Sequence, residues 1–223
     1  LVGSTTSSNM GYTTHFFDNI GFLLTDMPVD IFDQVKQECH SVYANPELQT
    51  KANHTLAGAI DREYFLTKSI ATMEPYLTWL IAQYDEHFHY THTVDNTWRR
   101  DESWAWHIDS LWANYQQKHE FNPVHNHDGT MSFVIWVQIP YELEEEFKQS
   151  REHNDYPKTT SCFQFIVPNT MGQLYNHTIA VDKTYQGKIM LFPSKMMHTV
   201  YPFYTSDGIR ISVSGNVKKL RVK

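Results

Sequence analysis

The chain has 223 residues, 41% of them hydrophobic and 19% charged, with a net charge of −7; this suits one ordinary folded domain and leaves no room for two full catalytic domains. The acidic balance argues against a dedicated nucleic-acid binder. The longest apolar run, Phe133 to Val137, is far short of the roughly 20 residues that span a bilayer, so no membrane span is expected. Two cysteines, Cys39 and Cys162, cannot make a disulfide framework and fit a reducing compartment. The 13 histidines are about twice what an ordinary usage of roughly 2–3% would give. That surplus points toward a metal site without locating it.

In chain order, Leu1 to Asn9 is small, polar and rich in Ser and Thr, without the basic and then apolar order of a signal peptide. It reads as a cloning remnant, with Met10 as the native start and residues 10–223 as a single domain. Two helical patterns follow and form a helical part over about residues 27–90. From Met27 to Ala44, Ile31, Val35, Cys39 and Val42 recur at helical spacing, and Pro28 stands where a first turn tolerates it. From Pro75 to Phe88, Leu77, Leu80, Ile81, Tyr84 and Phe88 do the same. Each helix would bury one face and needs something to lie against.

From Ser103 the character changes. Segments rich in β-branched and aromatic residues alternate with turn residues: Trp104 to Gln116, Thr130 to Ile139, Thr160 to Val167, His177 to Val181, Lys188 to Phe192, Thr199 to Tyr204 and Ile209 to Val217. Met131 to Ile139 is apolar on both faces for much of its length. Glu142 to Pro157 is highly charged and reads as a solvated surface loop or short exposed helix. About seven short strands after a helical part predict a mainly β fold with flanking helices, a jelly-roll core over about residues 103–217 whose outer sheet the helices cover.

Three places carry chemistry. His125 and His127 are two residues apart, so in extended chain both imidazoles point to one side while Asn126 points away. Two imidazoles so placed supply two-thirds of a facial metal site, although short His-x-His strings also arise by chance in a His-rich chain. His198 follows a strand that ends in Pro193; taken alone it reads equally well as a core histidine. On the strand Arg210 to Ser214, Ile211 and Val213 occupy one face and Arg210, Ser212 and Ser214 the other. An interior guanidinium needs a partner, either a bound anion or a structural Glu or Asp.

A close His pair, a distal His, then an Arg and a Ser on one strand is the order found in iron(II)/2-oxoglutarate-dependent oxygenases, and the chain resembles that superfamily from about Trp112 to Asn216. The likeness is strongest to prolyl-hydroxylase-like members, including uncharacterised ones from marine phages and bacteria. It rests on the Trp112-Ala113-Asn114-Tyr115 strand, the His-x-His turn followed by Ser132 to Val137, the Phe192-Pro193 lead-in to His198, and Arg210 to Asn216. The resemblance implies a double-stranded β-helix of the cupin-like, jelly-roll kind. It also implies iron(II), 2-oxoglutarate as cosubstrate, O2, and a cytoplasmic enzyme of a bacterium or phage-infected host.

By the same resemblance, His125 and His198 match the two iron histidines. Arg210 matches the arginine that pairs with the distal carboxylate of 2-oxoglutarate, and Ser212 the hydroxyl two residues on. Tyr115, ten residues before His125, matches a tyrosine that also reaches the cosubstrate. Two departures stand out. His127 replaces the usual acidic ligand, and Trp136 stands where a cosubstrate-contacting tyrosine is usual. Strand parity makes His127 the third ligand and turns Asp128 outward, unless a bulge at Gly129 reverses it. Such a facial set leaves three positions open, two for the 2-oxo acid and one for oxygen. The substrate, a peptide, a nucleic-acid base or a small molecule, is not specified by these residues. Two alternatives stay open at this point: a cupin-like three-histidine metalloenzyme that does not use 2-oxoglutarate, and a non-catalytic jelly-roll binding protein.

Overall fold

A computed structural model of the chain describes residues 20–91, 104–150 and 158–221. The remnant reading of Leu1 to Asn9, the start at Met10 and the end of the charged excursion (151–157) lie outside the described residues.

Helix α1 (Val29–Ala44) buries Val35, Cys39 and Val42, and Pro28 is its N-cap rather than part of its first turn. Helix α2 (Ile70–Phe88) begins five residues before the predicted start, with Pro75 inside it. A partner from α1 explains the difference. The buried Glu38 carboxylate accepts the backbone N–H groups of Thr67, Lys68 and Ser69, each at 2.8 Å, and the Ser69 hydroxyl at 2.6 Å. The side chain of one helix thus satisfies donors at the start of the other, which offsets the hydrogen bond lost at Pro75.

The strands form two antiparallel sheets. The six-stranded sheet has the order β1 (Leu23–Asp26), β8 (Lys188–Pro193), β5 (Met131–Gln138), β10 (Arg210–Arg221), β3 (Trp104–Gln116), β2 (Glu63–Phe65). The four-stranded sheet has the order β4 (Asn122–His125), β9 (Met197–Val200), β6 (Phe163–Pro168), β7 (Leu174–Ile179). Strand β5 shows why it reads as apolar on both faces. Phe133, Ile135 and Val137 pack in the core beneath the helices, whereas Val134 and Trp136 join Phe163, Phe165, Met190 and Phe192 between the sheets. The result is a double-stranded β-helix, a jelly roll with its helices against the larger sheet.

Three short strands depart from the expected pattern: β1 and β2, added from the helical part to the two edges of the larger sheet, and β4. Strand β9 lies two residues earlier than predicted and ends at Val200, β7 lies three residues earlier, and β10 runs on to Arg221. The charged excursion carries helix α3 (Leu143–Gln149), but it is not wholly solvated. Glu146 is fully buried and accepts the backbone N–H of Tyr204 at 2.9 Å and of Thr205 at 2.7 Å, pinning the loop that leads to β10. Among the described residues no helix is long and apolar enough to cross a membrane.

Candidate metal centre

His125 closes β4 and stands directly across from His198 on β9. His127 lies two residues on, in a turn fixed by its backbone N–H to the Ser194 carbonyl (2.8 Å) and by Gly129, whose φ of 93° few other residues adopt. The three rings converge, with centroid separations of 4.3, 4.9 and 5.1 Å, and one nitrogen from each lies within 4.8 Å of the others. Asp128 points outward, exposed, 3.6 Å from Lys195. The turn therefore has no bulge that would carry its carboxylate to the rings.

The hydrogen bonds fix which nitrogen of each ring holds a proton. His125 Nδ1 lies 2.7 Å from the Pro123 carbonyl and His198 Nδ1 2.9 Å from the Met196 carbonyl. Carbonyls only accept, so both Nδ1 atoms carry hydrogen. His127 Nδ1 lies 2.6 Å from Ser132 Oγ, and that hydroxyl gives its own hydrogen to the Gly215 carbonyl at 2.9 Å. With its hydrogen so placed, the hydroxyl accepts from His127 Nδ1. With Ser132 accepting the Nδ1 hydrogen of His127, all three Nε2 atoms are bare lone pairs, and those of His125 and His127 face each other at 3.1 Å. Such a contact is repulsive unless a cation sits among the three, and a neutral N-donor set held by partners on its far nitrogens suits a divalent transition metal.

Burial keeps the rings in the ligating state. Desolvation, followed by the neighbouring histidines, holds His198 well below the ordinary 6.5 and His127 at about 4, and burial also lowers His125. Aromatic rings set their tilt: Phe163 stacks on His198 at 5.3 Å, Phe192 meets it edge-on at 5.1 Å, and Trp112 lies 5.5 Å from His127. Ser132 was not singled out in the sequence. Its signal is a hydroxyl with no exposure in a strand that is otherwise almost entirely apolar.

The triad opens into a cavity of about 230 Å³ that Ser212 also lines. Arg210 shares the face of β10 that carries Ser212, Ser214 and Asn216 but does not itself line the cavity. It is buried, and its donors are already spent. Nε and Nη2 both reach Gln116 Oε1, the former at 3.1 Å; Nη1 reaches the Tyr141 hydroxyl (3.2 Å) and the Ser161 carbonyl (3.0 Å); Nη2 also reaches the Tyr201 carbonyl (3.3 Å). Among the described residues no carboxylate meets it, so the expected acidic partner is replaced by neutral oxygens. Gln116 takes two N–H groups much as one carboxylate oxygen would.

The expectation for Tyr115 is corrected. Alternation along β3 sends Trp112 and Asn114 into the cavity, and Tyr115 to the opposite face beneath the helices, where its hydroxyl donates to the Cys39 carbonyl at 2.7 Å. Trp136 is buried between the sheets against Tyr185 and does not line the cavity. The hydroxyl on that side is Tyr141, which sequence reasoning missed.

A double-stranded β-helix that brings three imidazole nitrogens to one point has the layout of a metal site of the jelly-roll kind. Residues 110–216 match the family described as "Putative 2OG-Fe(II) oxygenase". Over these residues, just under half of the chain, the protein is similar to 2-oxoglutarate- and iron(II)-dependent oxygenases, a family that implies iron(II) as cofactor and 2-oxoglutarate and O2 as cosubstrates. A prolyl-4-hydroxylase from Pseudomonas putida has the same fold, with a TM-score of 0.53 at 12% identity over 89% of this chain and 92% of that one. More distant are two prolyl hydroxylases. One, from Trichoplax adhaerens, was solved with a hypoxia inducible factor peptide fragment (TM-score 0.49, 10% identity, 88% and 82% covered). The other, from Paramecium Bursaria Chlorella virus-1, is described as a collagen prolyl hydroxylase (0.47, 9%, 91% and 96%). No curated protein matches the chain in sequence.

Proposed function

We propose that the chain hydroxylates a substrate, in the manner of a peptidyl hydroxylase, with iron(II) held by Nε2 of His125, His127 and His198. The observation that carries this reading is the convergence of three imidazole nitrogens within 4.8 Å of one another, each ring held from its far nitrogen. When bound, the ion supplies oxygen-activating redox chemistry and a point of chelation for the 2-oxo acid. The chain's own work is positioning. Two backbone carbonyls and Ser132 keep the rings in the Nδ1–H form, and Phe163, Phe192 and Val134 make the wall apolar. Three neutral ligands leave the full charge of a divalent ion uncompensated by protein, which favours an anionic chelator.

Ser212 meets the cosubstrate from the cavity wall, and Arg210 receives its distal carboxylate once that group displaces Gln116 from the guanidinium fork. The two buried free cysteines fit a cytoplasmic location. The test is an anaerobic titration of the full chain with iron(II) and then 2-oxoglutarate, followed by calorimetry and optical absorption. One ion per chain and a 2-oxoglutarate complex that forms only after the metal support the reading. Binding of 2-oxoglutarate without metal dependence, or no metal binding at all, rejects it.

A further inference from the structure

Part of the cavity wall is not used by the metal or the 2-oxo acid. Glu63 on β2 and Asn114 on β3 face each other across the sheet, and both line the cavity. Glu63 is 1% exposed; Asn53 Nδ2 donates to its Oε2 at 3.2 Å, and its Oε1 has no donor among the described residues. Asn114 is 4% exposed and its Oδ1 has no partner, while its amide makes only a 3.4 Å contact with Ser212 Oγ. A third acceptor completes the group. A methyl group on Gly58 would stand 2.6 Å from Glu63 Oε1 and 2.4 Å from Asn122 Oδ1, so both oxygens face the same small space over a glycine. Among the described residues that line the cavity, the acidic ones are Glu63 and Asp128 and none is lysine or arginine.

Buried acceptors without donors are costly unless a ligand brings the donors, and a buried carboxylate asks for a cation. We propose that Glu63, Asn114 and Asn122 form the substrate-recognition subsite and that it takes a cationic nitrogen group, a protonated amine or a guanidinium, whose several N–H donors reach the three oxygens together. The assignment rests on the oxygenase reading for the chemistry that follows binding, and on the lining alone for the choice of ligand. Burial, and next the Glu120 charge, raise the Glu63 carboxyl to about 7; an arriving cation would favour its ionised form. A neutral isostere of the same shape would leave the carboxylate unpaired, which is how a polar pocket rejects a ligand that lacks the donor.

The experiment is calorimetric titration of the full chain, loaded with zinc and 2-oxoglutarate and separately metal-free. The probes are L-lysine amide and L-arginine amide against their neutral counterparts, L-norleucine amide and L-citrulline amide. At least one cationic probe should bind about tenfold or more tighter than its counterpart. Glu63→Gln should erase that preference while zinc and 2-oxoglutarate load as in the wild type. Gly58→Ala should weaken the cation by placing a methyl group against both oxygens, without a change of charge. Equal binding of charged and neutral probes, no binding of any probe, or a preference that survives Glu63→Gln overturns the assignment. Failure of zinc and 2-oxoglutarate to load strikes the oxygenase reading instead, and the metal-free titration then still decides the subsite.

Discussion

Three imidazoles and one guanidinium share the interior of the same jelly roll, and their surroundings treat them in opposite ways. Around the triad every Nδ1 has a partner in the surrounding protein while the Nε2 atoms of His125 and His127 meet only near one another, so the site is held from its outer side and open on its inner side. Around Arg210 the donors are all engaged by neutral oxygens from β3, from the loops after β5 and before β6, and from the loop after β9. The metal end is preorganised for a ligand, whereas the arginine end must first let go of Gln116. The difference teaches that burial and residue type alone do not mark a binding group; the state of its hydrogen bonds does.

The sharpest way to break the metal end is His198→Ala. Metal affinity should fall by more than the roughly 10–100-fold that outer partners of a ligand carry, read as zinc retained after gel filtration; retention equal to wild type would remove His198 from the site. Acid should act on the metal-free chain in the same place. The triad histidines are held below the ordinary 6.5, so on acidification the unfolded chain takes up protons that the folded chain refuses. Stability is then whole above about pH 6.5 and declines as pH falls toward 4. The depression of His127 alone, to about 4, corresponds to roughly 3 kcal/mol. Melting temperatures of the chelator-treated protein across this window check it, and a flat profile would contradict it.

Ser132→Ala tests the outer side of the triad. It leaves His127 Nδ1–H without its acceptor, and metal affinity should fall by about 10–100-fold with the fold intact. Unchanged affinity would show that Ser132 does not set the tautomer. At the arginine end, Arg210→Lys should weaken 2-oxoglutarate by about tenfold, because a point charge cannot reproduce the planar fork. Gln116→Ala, by freeing that fork, should cost about 1–3 kcal/mol of stability that added 2-oxoglutarate restores. If Arg210→Ala binds 2-oxoglutarate as the wild type does, the cosubstrate is held elsewhere. The smallest effect belongs to Asp128→Ala, which should change metal affinity by less than about twofold, as expected for an exposed charge.

The triad was legible because its logic is short-range: two residues apart on an extended segment, with a third on a strand that pairs with it. The larger strands were legible for the same reason, through their dense β-branched and aromatic runs. Strands β1, β2 and β4 were not. They have three or four residues each, β4 contains Pro123, and their places depend on sheet edges built elsewhere in the chain. Tyr115 misled because β3 is buried on both faces at that end, so hydrophobicity gave no hint of which face looks into the cavity. The burial of Arg210 was legible; its partners were not. Gln116 and Tyr141 lie 94 and 69 residues away in the chain, and neutral acceptors leave no charge pattern to read.

The central claim is that three imidazole Nε2 atoms, with no carboxylate, hold one ion. X-ray absorption of the zinc-loaded full chain measures this directly. The account predicts three imidazole nitrogens at about 2.0–2.1 Å, with one lost in His127→Ala and none in Asp128→Ala. Two imidazoles with a carboxylate oxygen, lost in Asp128→Ala and kept in His127→Ala, would contradict it.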